Sequence, residues 1–340
     1  MVTFHFSSCF SRFCLAVGFA FLASLLTSCE SPTQRTARSV GVTSEILVVT
    51  QSPAQWEGAP GQAVRDYFGQ AQYGLPQEEP IFKIAHIQFD NMSDMFKKHR
   101  NILLIEIGPG QEEPLIETRP DLWAKPQRVV KIRAKSTDEW VETFASRKEG
   151  LKLLYDQTER ERLLTILRPT AKASVVEALY KHMGVSMVIP DGFFVAKTEH
   201  NFMWIRRETS ENSQGLIIWR LPYRDTLQLK SAYLIYTRDS IVSKHIPGPS
   251  PGSFMTTDKE FVPPMIKRVG YFVADFAVEN RGMWNLVGDY MAGPYLSYTV
   301  IDQKNGGLLT VEGYVYAPNK DKRDLLRQLE AMMFSLNINP

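Results

Sequence analysis

Hydrophobic and polar positions along this 340-residue chain fall into three regimes. The first is a nearly unbroken apolar run from Phe13 to Leu26, closed by small and polar residues. It has the length of a signal-peptide h-region and falls short of the about 20 apolar residues that a membrane-spanning helix needs. The second regime alternates β-branched runs with helical periodicity. It predicts strands at Glu45–Thr50, Ile81–Gln88, Asn101–Ile107 and Arg128–Ala134. Between them Val64, Tyr67 and Phe68 share one side of a helix expected over Gln62–Gln70, and a short helix is expected over Met92–Lys98. Ser136, with Glu139 three positions on, has capping-box spacing and should start a long helix reaching Leu167. Leu151, Leu154, Leu163, Leu164 and Leu167 form its interrupted stripe, and the charges of Glu159 to Arg162 read as a solvated face. A second helix, Ala171–Met183, should end at Gly184 in a left-handed cap.

The third regime is mostly two-residue alternation. Strands are predicted at Val185–Val188, Phe193–Thr198, Phe202–Arg207 and Gly215–Leu221, then a helix over Asp225–Val242. Asn305-Gly306-Gly307 lies between strands expected at Leu296–Ile301 and Leu308–Tyr316, and an Asn-Gly pair tolerates the positive φ of a tight hairpin. Leu325, Leu326, Leu329, Met332 and Met333 stripe a final helix near Lys320–Ser335. The expectation is an α+β protein of two α/β-type halves with largely antiparallel sheet. Residues 1–28 would be a signal peptide, 29–44 a flexible tether, 45–168 an N-terminal α/β half with its long helix, and 169–340 a C-terminal antiparallel half. In element order the second half is faintly similar to small α/β/α modules of the photosystem extrinsic-protein type, an analogy of fold only.

Leu26-Thr27-Ser28-Cys29 at the end of the apolar run resembles the lipobox of bacterial lipoproteins, which implies cleavage before Cys29 and lipidation of its thiol. Two or three acyl chains anchor stably where one barely does, so the partner implied is a membrane, reached through the N-terminal lipid. Removing residues 1–28 takes Arg12 and no acid from a chain with 39 Lys+Arg and 37 Asp+Glu, leaving a net charge near +1. No basic field points to nucleic acid. The other two cysteines, Cys9 and Cys14, lie in the segment to be discarded, so no disulfide is expected. Stability must come from a core, for which about 310 residues suffice.

Candidate chemistry is sparse. No histidine pair has His-Glu-x-x-His spacing, no phosphate loop occurs, and no motif calls for a cofactor or metal. Gly248-Pro249-Ser250-Pro251-Gly252 matches a nucleophile elbow literally, but Pro251 lacks the amide such an elbow needs. Glu78-Glu79 and Glu112-Glu113 read as solvated loop charges, since adjacent side chains in extended chain point apart. Glu279 and Asp289, on or near strands, read as outward-facing acids. The positive hint is aromatic. Trp204 and Trp219 fall on neighbouring strands beside Arg206, Arg207 and Arg220, and Trp-Arg surfaces are typical interaction hot spots. Core packing is the commoner fate of such tryptophans. Alternation puts Phe202, Trp204 and Arg206 on one face and Met203, Ile205 and Arg207 on the other.

Leu75-Pro76-Gln77 with Glu79-Pro80, Asn201-Phe202-Met203-Trp204, Gly288-Asp289-Tyr290-Met291-Ala292-Gly293-Pro294 and Tyr316-Ala317-Pro318-Asn319-Lys320-Asp321-Lys322-Arg323, together with the lipobox, resemble domain of unknown function 4837. That family comprises Gram-negative envelope lipoproteins, and the resemblance would cover nearly the whole mature chain while carrying no assigned activity, catalytic residue or ligand. Together these readings predict an outer-membrane lipoprotein facing the periplasm, a non-catalytic binding or assembly factor with an envelope protein partner. The alternative is an envelope hydrolase whose site is built from dispersed residues.

Overall fold

The computed structural model describes residues 37–110, 113–305 and 307–338. Cys29, the segment 1–28 and the tether as far as residue 36 lie outside them, as does Glu112. Ordered pairing begins earlier than the tether reading expects. Val40 donates to the Lys98 carbonyl at 2.9 Å and accepts from Arg100 N at 2.9 Å, and Ser39 donates to Lys125 O at 3.2 Å. Residues 38–40 are therefore pinned to the folded body, because their backbone groups find partners there.

The first sheet is built from β1 (Glu45–Thr50), then helices α1 (Pro53–Glu57) and α2 (Ala59–Phe68), β2 (Lys83–Gln88), helix α3 (Asp94–Lys97), β3 (Asn101–Ile107), β4 (Leu115–Pro120) and β5 (Arg128–Ala134). Its order is β2-β1-β3-β5-β4. All neighbours are parallel except the β4–β5 pair. One face (Ile46, Val48, Leu103, Ile105, Val130, Ile132) packs on Phe68, Trp140, Phe144 and Tyr155. Leu47, Val49, Ile102, Leu104 and Val129 fill the other, under Met92, Phe96 and Trp123. Burial on both faces is why β1 and β3 read as continuous apolar runs.

Helix α4 (Thr137–Leu167) begins at Ser136, whose hydroxyl accepts from Glu139 N at 3.3 Å while Glu139 Oε2 accepts from Lys135 N at 2.8 Å. Of its charged stretch only Glu161 is solvated, while Glu159, Arg160 and Arg162 are buried. Glu159 is 1% exposed and holds Arg162 at 2.6 Å, Arg100 at 3.2 Å and Asn101 Nδ2 at 2.7 Å. The helix buries this side against the start of β3, so its polar residues need partners there and have them. Helix α5 (Ala173–Met183) ends at Gly184, with φ 68°.

The second sheet contains eight strands in the order β10-β11-β12-β13-β8-β7-β6, with β9 also paired to β11. In chain order these are β6 (Phe194–Glu199), β7 (Phe202–Glu208), β8 (Ser213–Pro222), helix α6 (Ser231–His245), β9 (Phe254–Thr257), β10 (Met265–Val269), β11 (Ala277–Val287), β12 (Ala292–Asp302), β13 (Gly307–Tyr316) and helix α7 (Arg323–Phe334). All its pairings are antiparallel. One face meets α5 and α7 through Leu179, Met183, Leu326, Leu329 and Met333. The other meets α6 through Val242 and Ile246. The α+β class therefore holds, with an α/β/α layering of the second half. Arg238 of α6 crosses to Glu312 of β13 in a two-pronged ion pair, Nε–Oε2 2.8 Å and Nη2–Oε1 2.7 Å, with both side chains buried.

Three local expectations fail. Val185–Val188 is no strand: Ser186 makes a single bridge to Asn337, and Val185 and Met187 are buried without a ladder. The helix expected from Asp225 is split. Asp225 forms a capping box on a 3-10 turn, Thr226–Leu229, and Lys230 is extended before α6 starts. Asp302 pairs with Gly307, so the β12–β13 connection is residues 303–306, longer than a two-residue turn at Asn305-Gly306. Gly306 itself lies outside the described residues. Asp302 closes the loop by accepting from Asn305 N and Nδ2 at 3.2 and 2.8 Å.

Candidate functional site: a charged cleft

The Trp-Arg surface suggested by the sequence does not form. Trp204 and Trp219 are 7% and 4% exposed and belong to the core under α6. The Trp204 indole N–H donates to Tyr314 Oη at 2.9 Å. Arg206 lies over the Trp204 ring at 4.8 Å and pairs with Glu208. Arg207, on the opposite face, donates to Gln214 and sits 5.3 Å from the Phe193 ring. Arg220 pairs with Asp302 and donates to Met183 O at 3.0 Å. The five candidates are thus divided between two faces by the same alternation that placed Trp204 and Arg207 apart. None of their side chains offers an open aromatic patch, because α6 covers the tryptophan face.

A different constellation converges where α4, α7 and the β10–β11 edge meet. They enclose a cleft of about 360 Å³ whose lining carries six Lys and Arg side chains against four Asp and Glu among the described residues. Helix α4 contributes Lys152, Asp156 and Arg160 at i, i+4 and i+8, one face of a helix. From α7, Arg323, Arg327 and Glu330 project toward it, and β11 supplies Glu279 and Arg281. Asp156 binds Lys152 Nζ at 2.6 Å and Arg327 Nη1 at 2.8 Å. Glu279 accepts from Tyr271 Oη at 2.9 Å and Tyr298 Oη at 3.2 Å, with Lys267 Nζ at 3.4 Å. Tyr298 Oη also reaches Glu330 Oε1 at 3.0 Å.

Electrostatics fix the charge state of this site. Burial alone would raise the Asp156 carboxyl, yet Lys152, Arg327 and Arg160 hold it well below the ordinary carboxylate range. Glu279 follows the same pattern, with burial outweighed by Arg281 and Lys267. Burial and the neighbouring carboxylates push the Tyr298 and Tyr271 hydroxyls upward, so both donate as neutral phenols. Glu279 is thus a buried acid of the cleft and no outward-facing one, whereas Asp289 accepts from Ser250 Oγ at 2.5 Å and from Tyr290 N at 2.6 Å at an exposed turn. Glu79 also departs from its loop reading. It is 5% exposed and caps α7 by accepting from Lys322 N at 2.7 Å and Arg323 N at 3.0 Å. That position suits an anion, next to the positive end of the helix dipole.

Among the described residues no group of three or more His, Cys, Asp and Glu side chains is arranged to hold a metal ion. No helix there is long and apolar enough to cross a membrane. The cleft was not visible in the sequence because its residues are spread from Tyr67 to Glu330. The i, i+4, i+8 spacing of Lys152, Asp156 and Arg160 was the one local signal.

Residues 172–335 match the family model for domain of unknown function 4837. The match to that family spans most of the C-terminal half. Residues 39–168 match a different model, domain of unknown function 8532. The 4837 domain therefore does not extend over nearly the whole mature chain, and Leu75-Pro76-Gln77 and Glu79-Pro80 lie outside it. The cleft draws on both segments: Asp156 and Arg160 come from the first, while Glu279, Arg281, Arg327 and Glu330 come from the 4837 domain. No curated protein matches the chain. Among solved structures it is similar to the Ran-binding protein Mog1p of Saccharomyces cerevisiae, at 12% identity and TM-score 0.31, over 47% of this chain and 93% of that one. It is also similar to LpqN of Mycobacterium tuberculosis, described as involved in cell envelope biogenesis, at 13% identity and TM-score 0.27, over 46% of this chain and 83% of that one. No function is carried over from either.

Proposed function

We propose that this chain is a membrane-anchored binding protein of the cell envelope, tethered through a lipid on Cys29, and that the cleft between α4, α7 and β11 is its binding site. One observation supports binding over catalysis: the cleft carboxylates are locked in place, Asp156 between Lys152 Nζ at 2.6 Å and Arg327 Nη1 at 2.8 Å and Glu279 under Tyr271 Oη at 2.9 Å and Tyr298 Oη at 3.2 Å, and the neighbouring cations hold both carboxyls down. A general acid working near neutral pH needs a raised carboxyl, whereas carboxylates locked to cations hold a recognition surface in shape. The envelope address rests on the lipobox. Outer-membrane attachment facing the periplasm belongs to the same reading.

Two experiments test it. Metabolic labelling with a fatty-acid analogue should mark the wild type and not Cys29→Ala; equal labelling of both refutes the anchor. A photo-crosslinking residue at Met265 or Leu153, both on the cleft rim and 38% and 36% exposed, should give adducts in intact cells. The same residue at Tyr236, 74% exposed on α6, should not. Equal adducts at Tyr236, or none at the rim, refute the cleft as the binding site.

A further inference from the structure

Two guanidinium groups in the cleft are held close to carboxylates without being hydrogen-bonded to them. Arg160 Nη1 stands 3.9 Å from Glu330 Oε1, and Arg281 Nη2 stands 3.9 Å from the same oxygen. Arg281 Nε is 3.7 Å from Glu279 Oε1. These separations exceed hydrogen-bond reach. Neither arginine makes a side-chain hydrogen bond among the described residues, although their side chains are only 10% and 12% exposed. Arg160 is instead braced by the Phe334 ring, 3.9 Å from its guanidinium carbon. Other cleft cations are engaged: Arg327 by Asp156 and the Ile81 carbonyl, Lys152 by Asp156, Arg323 by Asp324 and the Pro80 carbonyl.

The Arg160 and Arg281 forks line the open volume of the cleft, where their N–H groups are free to take an acceptor. Beside them Arg327 Nε is a buried donor without a partner among the described residues, which is costly. An anion seated between the two forks would supply the missing acceptors in a lining that carries six cations against four acids. Arg160 lies on a helix and Arg281 on a strand, so the two forks are presented by rigid elements. Arginine forks match the planar or tetrahedral oxygens of carboxylate and phosphate. Lys267, 47% exposed at the rim, adds an accessible positive charge. We propose that the cleft binds a small ligand through an oxyanion, a carboxylate or a phosphate, gripped by Arg160 and Arg281 and steered in by Lys267. The inference rests on the binding-protein reading and names its ligand class.

The test is calorimetric titration of the purified full chain with inorganic phosphate and with glutarate, at an ionic strength held constant with sodium chloride. Saturable one-site binding of at least one probe is expected. Binding of phosphate alone assigns the phosphate class, and binding of glutarate alone assigns the carboxylate class. Arg160→Gln should weaken binding at least tenfold and the rim variant Lys267→Gln about threefold. Arg281→Lys keeps the charge and loses the fork, so it should also weaken binding if Arg281→Gln does not fold. The proposal is overturned if neither probe binds beyond the chloride control, or if affinity is unchanged in Arg160→Gln and Arg281→Lys. Rim crosslinks without probe binding would remove the oxyanion inference and leave the binding reading standing. Probe binding without rim crosslinks would do the reverse.

Discussion

Replacing Asp156 by Asn should loosen the joint between α4 and α7. The carboxylate is 6% exposed and bridges Lys152 Nζ at 2.6 Å to Arg327 Nη1 at 2.8 Å. Asn retains one acceptor oxygen and no charge. Arg327, itself 7% exposed and lying 4.6 Å from the Phe82 ring, is then left buried without its counter-ion. Removing one partner of a buried pair costs about 3–5 kcal/mol. Lys152, whose side chain is 25% exposed, can turn to water, which places the expected loss near the lower end, about 3 kcal/mol. At roughly 2–4 °C per kcal/mol for a chain of this size, the thermal midpoint should fall by about 6–12 °C. Circular dichroism melts at pH 7 measure it. The pH dependence provides a second check. The Asp156 carboxyl is depressed in the folded state, so the unfolded chain binds the proton more readily. Its contribution is complete above the ordinary Asp value of about 4 and is lost as pH falls toward the folded value. The gap between wild type and Asp156→Asn should therefore narrow as the pH is lowered below about 4. A midpoint within about 2 °C of wild type at pH 7, less than a single kcal/mol would shift it, refutes the bridging role.

Other perturbations test the second half. Burial pushes the Glu312 carboxyl up and opposes charge on Arg238, while Glu312 pulls the Arg238 guanidinium above its ordinary value. The two-pronged contact at 2.7 and 2.8 Å decides for an ionised pair. Glu312→Gln should thus cost about 3–5 kcal/mol, and Arg238→Met with Glu312→Leu markedly less; equal losses in chemical denaturation would contradict this. Trp219→Ala, 4% exposed in the original, should cost about 3–5 kcal/mol in the same assay, and a variant as stable as wild type would return that tryptophan to the surface. A Cβ at position 215 would overlap the Tyr314 ring that anchors the Trp204 indole. Gly215→Ala should therefore destabilise by about 1–3 kcal/mol and change the tryptophan fluorescence; an unaltered spectrum would mean that Tyr314 moves freely.

Strands β1, β3 and β5, the Ser136 cap, the Gly184 cap and the stripe of α7 were legible in the sequence, because each depends on residues within a few positions of one another. Periodicity also separated the Trp204 face of β7 from the Met203 face. It could not tell which helix would cover each face. That depended on α6 packing on one side of the second sheet and α5 and α7 on the other, and it is why Trp204 and Trp219 are core residues. The same blindness misread polar residues. Glu79, Glu159, Arg160 and Glu279 look like solvated charges when judged by local composition. They are buried because partners outside their own element satisfy them: Glu79 by the amides that open α7, Glu159 by Arg100 and Asn101, Glu279 by Tyr271 and by Tyr298 of the neighbouring strand. Arg160 is sheltered against Phe334 of α7. Local pattern specifies an element and the face it will bury, since both follow from backbone period and side-chain size. Which charges meet across the joint between elements follows from the packing of segments well over a hundred residues apart, and the cleft exists only at that level.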